Sequence, residues 1–288
     1  MKDQAYNLRM KMLQSQNAPA KTIAIVSGKG GVGKSNISTN ISLSLVRKGY
    51  KTLLFDLDIG MGNIDILLGS QSKGTIVDFL HNTSLQVTDV ISKDESGLSY
   101  ISGGNGLASL VEWEEEKMER FLNGLNELVY SHDFLIFDMG AGATKDTLSL
   151  LMAMDEIFVV TTPEPTSLTD AYSMIKYIYS KDQTKEFLLI CNRAEPISEG
   201  KEILERLQKT IEKFLNKKVS LLGVLPEDKT VRKAVGQQKP FSVSYPNASI
   251  TKSLEHLVDR YLSSDESKPI TAEKNHFIKR IGKMFFGR

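Results

Sequence analysis

The sequence predicts an α/β fold, a mostly parallel sheet covered by helices on both faces, over residues 22 to 262. Three observations carry this. Apolar runs of strand length alternate with longer segments of helical period from Thr22 to about Leu262, the signature of successive strand–helix units. The runs are apolar at nearly every position, as expected of strands buried on both faces. Two of them, 51–55 and 134–137, end directly in an aspartate, and acids at the carboxyl ends of parallel strands lie beside the crevice where such sheets bind ligands.

Composition narrows the function classes. With 288 residues, 41% of them apolar, the chain suits one generous α/β domain with appendages. A net charge of +1 gives no overall attraction to nucleic acid, and no specific nucleic-acid partner is expected. The single cysteine, Cys191, lies in the apolar run 187–191 and reads as a small core residue; no disulfide framework can form within the chain, which fits a reducing compartment. The N-terminus lacks the apolar stretch of a signal peptide, and no apolar run approaches the ~20 residues of a membrane span. The expected location is the cytoplasm, with at most peripheral association at the inner face of the cell membrane.

Residues 1–21 form an arm ahead of the first strand, carrying Lys2, Arg9, Lys11 and Lys21 against Asp3 alone. Asp3 can cap a short helix through Met12 with Ala5, Leu8 and Met12 on one face, and Asn17-Ala-Pro19 ends it; by composition alone it reads equally as a disordered tail. Next, Thr22–Ser27 reads as a strand and 37–47 as a helix, joined by a loop rich in glycine. Gly28-x-x-x-x-Gly33-Lys34-Ser35 is the P-loop pattern. Backbone N–H groups of Gly28, Lys29, Gly30, Gly31, Val32 and Gly33, with the helix N-terminus through Asn36, would surround phosphate oxygens. Lys34 would reach the β- and γ-phosphates, and the Ser35 hydroxyl would bind Mg²⁺. The same letters contain Gly28-x-Gly30-x-x-Gly33, followed by Asp56 at about the ~20-residue distance of a dinucleotide fingerprint. Lys34-Ser35 favours the P-loop, because a dinucleotide turn gives a lysine followed by a hydroxyl no role.

Lys29 completes the form KGGxGKS, which resembles the deviant P-loop of the MinD/ParA class of ATPases. On its own Lys29 reads as a solvated loop lysine; the resemblance implies that it reaches across a dimer to the partner's nucleotide. It further implies ATP and Mg²⁺ as ligands, catalytic roles for Lys29, Lys34 and Asp58, and an ATP-dependent homodimer. Asp3-Gln4-Ala5-Tyr6-Asn7-Leu8-Arg9 is similar to the DQAxxLR element of the FlhG family (also YlxH or FleN) of flagellar-number regulators. That likeness implies that Asp3, Gln4, Ala5, Leu8 and Arg9 activate an FlhF-like GTPase related to those of the signal recognition particle. It also implies flagellar basal-body or C-ring partners. A cell-division or partitioning ATPase of the same fold is the first alternative. A metabolic P-loop kinase or synthetase, using Lys29 and Asp58 on a small acceptor, is the more distant one.

The second strand, 51–55, ends in Asp56-Leu57-Asp58-Ile59-Gly60. As residues, both aspartates could cap turns; the resemblance makes this switch I, with Asp56 in the Mg²⁺ shell and Asp58 orienting the attacking water. Residues 61–113 are short amphipathic pieces broken by glycines, with a candidate strand at 98–101, and the acids Glu114–Glu116 open a helix through Tyr130. The strand 134–137 ends in Asp138, the arrangement of a Walker B acid holding Mg²⁺ through water. Gly140-Ala-Gly142 is a flexible switch II strip suited to sensing a γ-phosphate; Met139 departs from the small polar residue usual there. Strands at 156–161, 187–191 and 219–225 follow. Asn192-Arg193-Ala-Glu lacks the Lys and Asp of the guanine signature, which favours ATP over GTP. Asn192 and Arg193, with Pro226, Glu227 and Asp228, resemble the adenine contacts of MinD-type proteins.

A polar linker, 263–270, leads to a last segment, 271–288. On a helical wheel Phe277, Ile278, Ile281, Met284 and Phe285 share one face, with Lys279, Arg280 and Lys283 on the other. This amphipathic helix fits an anionic lipid membrane, and its apolar face fits the protein's own body equally well.

Overall fold

Eight strands lie in one sheet in the order β3-β4-β2-β5-β1-β6-β7-β8. The computed structural model describes residues 12–13, 15, 17–58, 62–104, 115–140, 145–266, 277 and 280. Along the chain, β1 (Lys21–Val26) leads through the glycine loop into α1 (Lys34–Arg47), β2 (Thr52–Leu57), α2 (Ile64–Leu68) and α3 (Ile76–His81). A short 3₁₀ turn at Val87–Val90 precedes β3 (Ser92–Lys93) and β4 (Ser99–Ile101). Then come α4 (Glu115–Ser131), β5 (Phe134–Met139), α5 (Lys145–Ala153), β6 (Glu156–Thr161) and α6 (Pro165–Lys181). The chain continues with β7 (Glu186–Ala194), α7 (Ile197–Leu215), β8 (Ser220–Pro226), α8 (Lys229–Gly236), α9 (Phe241–Ser244) and α10 (Ser249–Glu266).

Every strand pair is parallel except β3 with β4. The near-continuous apolar runs are explained by burial on both faces. Because successive side chains alternate, Leu135, Phe137 and Met139 of β5 join one core with α3 to α7, while Phe134 and Ile136 join the other with α1 and α10. Met139 is thus a core residue, 2% exposed, which accounts for its departure from a small polar residue. The order reverses around β1: the chain runs outward to β2, β4 and β3 on one side and to β6, β7 and β8 on the other. The crevice at such a switch point is where open α/β sheets take ligands, and the glycine loop leaves β1 there.

Two features differ from expectation. The antiparallel β3 is too short to show any period in sequence. Helix α10 continues to Glu266, so residues 263–266, expected in the linker, are helical; Ser263 and Ser264 return their hydroxyls to the carbonyls of Asp259 and Tyr261 instead of breaking the helix. Among the described residues no helix is long and apolar enough to cross a membrane. Asp3, Gln4, Ala5, Leu8 and Arg9 of the arm, Gly142 of switch II, and Ile278, Ile281, Met284 and Phe285 of the last segment lie outside the described residues.

Candidate functional site

The site assembles from the carboxyl ends of β1, β2 and β5. Parallel register sets Asp56 of β2 beside Asp138 of β5, and Asp138 beside Ile25 of β1. From the other side the P-loop closes in. Gly28 passes so near α6 that a Cβ there would lie 2.2 Å from the Asp170 carbonyl carbon, a clash no side chain survives. Gly33 has φ 92°, and a Cβ on it would meet the Asn192 amide nitrogen at 2.5 Å. That amide donates to the Val32 carbonyl at 2.8 Å, so Asn192, expected at the adenine, also braces the loop. Gly33 caps α1 without a side-chain acceptor and no acid occupies the first turn, leaving the helix N-terminus to an anion.

Lys34 Nζ bonds Asp138 Oδ1 at 2.6 Å, with both groups buried. The other oxygen of Asp138 is buried and has no hydrogen-bond partner. Asp56 accepts from the backbone N–H groups of Asp58 (3.1 Å) and Ile64 (3.2 Å). Burial, then the charge of Asp138, pushes the Asp56 carboxyl up to about 7. Two buried acids side by side, one with an unpartnered oxygen, fit a divalent cation, whose charge would keep both ionised. Ser35, the third donor that the P-loop pattern implies, stands in the first turn of α1. Asp58 is half-buried, and burial lifts its carboxyl above the usual range against the pull of Lys34. It lies against switch II, since a Cβ on Gly140 would stand 3.2 Å from its Oδ1.

Lys29 points elsewhere. Its Nζ bonds Glu164 Oε2 at 2.9 Å and Thr166 Oγ1 at 3.4 Å, at the rim where β6 turns into α6. The β6–α6 turn was legible as a strand end, but nothing in its letters gave Glu164 this role. The expected adenine contacts come together at the ends of β7 and β8: Arg193 Nε is 3.9 Å from Glu227, and the Glu227 N–H donates to the Ala194 carbonyl. Arg193 holds φ 57°. Asp228 caps α8 through Thr230 and accepts from Ile250 N–H at the start of α10, so it first of all fixes the loop.

The family model described as ParA, NUBPL iron-transfer P-loop NTPase matches residues 19–262. The chain belongs to the MinD/ParA family of P-loop ATPases. It is 30% identical over 276 residues to the antiactivator FleN of Pseudomonas aeruginosa, covering 94% of this chain and 96% of that one. To the flagellum site-determining protein YlxH of Helicobacter pylori it is 33% identical, covering 91% and 89%. The cell-division ATPase MinD of Pyrococcus furiosus superposes with a TM-score of 0.72 at 25% identity, over 85% of this chain and 99% of that one. The chain is therefore an ATP hydrolase of the FlhG type of this family. Iron transfer does not carry over from the model's description, because iron–sulfur clusters are held by cysteine thiolates. The one cysteine, Cys191, is buried in the core, and burial pushes its thiol up to about 12.

Proposed function

We propose that this ATPase is a membrane-associated switch that dimerises with ATP, sets flagellar number or placement, and stimulates an FlhF-like GTPase through its arm. One observation supports it above the others, the division of labour between two lysines. Lys34 is buried on Asp138 and serves its own site. Lys29, half-exposed on the same loop, turns away from that acid to Glu164. A two-fold dimer closing over both P-loops would give each Lys29 the partner's phosphates as a stronger anion than Glu164. Mg²⁺ held near Ser35, Asp56 and Asp138 would neutralise charge on the phosphate oxygens. Asp58 orients the water, and Gly140 and Gly142 carry the state of the site into α5. Names of flagellar relatives favour this reading over a division or partitioning ATPase.

Assembly tests the cross-subunit lysine. With ATP the wild type should sediment as a dimer and with ADP as a monomer, whereas Lys29→Ala should remain monomeric in both. An unchanged dimer in Lys29→Ala would remove the role. The arm is tested apart from the site. A peptide of residues 1–20 should stimulate the cognate GTPase without the rest of the chain, and the same peptide with Gln4 and Arg9 replaced by alanine should not. Stimulation by full-length protein lacking residues 1–20 would refute the arm. The basic amphipathic segment 271–288 is the proposed membrane anchor, by apolar burial and attraction to anionic lipid.

A further inference from the structure

Five residues make α2, too few for a helix to hold itself in water, and Asn63 gives it no side-chain cap. Its first backbone N–H is nevertheless committed to the site, where Ile64 donates to Asp56 Oδ2 at 3.2 Å. The next residue ties that turn down. Asp65 reaches back to the sheet, and its Oδ2 accepts from the hydroxyls of Ser102 at 2.8 Å and Ser72 at 3.2 Å. Ser102 follows Ile101, the partner of Phe55 in the β2–β4 register, so it stands at the strand ends beside Asp56. The Ser102 hydroxyl also accepts from the Gly104 N–H at 3.3 Å. One oxygen thus joins α2 to the turn at Gly103-Gly104.

Both pieces press on Asp56. A Cβ at Gly62, just ahead of α2, would lie 2.7 Å from Asp56 Oδ2, and one at Gly103 would lie 2.7 Å from the Asp56 carbonyl oxygen. The strands beneath are set by packing: Phe55 stacks on Phe137 at 4.6 Å, and Phe277, 2% exposed, lies against Phe137 at 5.9 Å. The Asp56 backbone is therefore fixed by the core, while its carboxylate is aimed by two N–H groups, those of Asp58 and Ile64. The second of these hangs on α2. Asp65 Oδ1 is buried and has no hydrogen-bond partner, so the two hydroxyls on Oδ2 carry the whole of this side chain's link.

We propose that Asp65 is a positioning residue for the Mg²⁺ site: by holding α2 on Ser102 it aims the Ile64 N–H at Asp56, and so sets how tightly the chain holds the cation of a bound nucleotide. This rests on the reading above that Asp56 and Asp138 face Mg²⁺. Asp65 touches neither of those acids in any printed bond and acts only through α2. Groups that hydrogen-bond a metal-ligating carboxylate keep it in one orientation, and losing one costs about 10–100-fold in metal affinity. Asp65 stands one bond further out, which places its effect near the lower of these figures. A residue that only held the fold would lower the melting temperature and leave the response to Mg²⁺ as it was.

Calorimetric titration with ADP, once with Mg²⁺ and once with EDTA, reads the cation's share without any turnover. In the wild type Mg²⁺ should tighten ADP. In Asp65→Ala that gain should shrink about tenfold, with the affinity in EDTA unchanged, because the P-loop and Lys34 belong to other elements. Asp65→Asn keeps an acceptor for both hydroxyls and should restore the gain to within about threefold of wild type. Ser102→Ala removes the other end of the link and should reproduce the loss, and the double variant should lose no more than either single one. Where Asp65→Ala does not fold, as thermal melting will show, Ser102→Ala and Asp65→Asn carry the same comparison. A full Mg²⁺ gain in folded Asp65→Ala or in Ser102→Ala would overturn the proposal, as would losses that add in the double variant. The two readings separate in the wild type: if its ADP affinity ignores Mg²⁺, the cation site itself falls and the role of Asp65 with it, whereas a responsive wild type with equally responsive variants removes the role of Asp65 alone.

Discussion

Replacing Lys34 with alanine is expected to lower nucleotide affinity by about 10²–10³-fold, enough to abolish turnover at cellular ATP. Two effects add. The ammonium that would meet the β- and γ-phosphates is gone, and with it a charge-assisted contact made in a buried site. Asp138 also loses its partner while remaining 0% exposed beside Asp56. Asp56, already held at about 7 by burial and then by the Asp138 charge, loses the one cation that opposes this rise. The vacated cradle therefore becomes more acidic in charge toward an incoming polyanion, or takes up a proton to avoid it. Calorimetric titration with ATP and Mg²⁺ measures the loss. Thermal melting without nucleotide separates it from unfolding, and Lys34→Arg, which keeps the charge, should retain a folded protein with intermediate affinity. Affinity within threefold of wild type in Lys34→Ala would sink the assignment of the P-loop lysine.

What the sequence allowed to be read, and what it did not, follows from where each signal resides. The strands were legible because burial on both faces makes them continuous apolar runs, and the site acids because a charge at the end of such a run has no packing role. The P-loop was legible because glycine is forced at Gly28 and Gly33 by contacts with Asp170 and Asn192 that any side chain would break. Those contacts themselves were invisible, since α6 and β7 come more than a hundred residues later in the chain. For the same reason Asn192 read only as a base contact, nothing pointed to Glu164 as the partner of Lys29, and Asp228 gave no sign that it ties α8 to α10. Arg280 shows the limit of helical periodicity. The wheel groups it with Lys279 and Lys283 on the polar side, yet its guanidinium donates to the carbonyls of Ala153 and Met154, partners that its neighbours in sequence do not announce.

The second large effect is expected at Asp58. Asp58→Ala should leave ATP affinity within a few fold of wild type and lower turnover by about 10²–10³-fold, the usual contribution of a group that positions or deprotonates a nucleophile. The P-loop, Lys34 and the paired acids do not depend on it: the bonds that hold Asp56 come from the backbone N–H groups of Asp58 and Ile64, and alanine keeps the first of these. What is lost is a half-buried carboxylate facing Gly140. Its protonation has a direction. Burial raises the Asp58 carboxyl above the usual aspartate range, with Lys34 pulling it down and Asp138 pushing it up. Turnover needs the ionised form, so it should be full above that raised value and fall as pH drops through it, at a higher pH than an ordinary aspartate would give. Asp58→Asn keeps an acceptor oxygen without the charge and should lose turnover together with this acid limb. Single-turnover hydrolysis across pH, with bound ATP measured separately, reads both quantities. Because bound ATP then persists, Asp58→Ala should also accumulate as the ATP dimer in sedimentation. Equal single-turnover rates for Asp58→Ala and wild type would place the water-orienting group elsewhere in the switch.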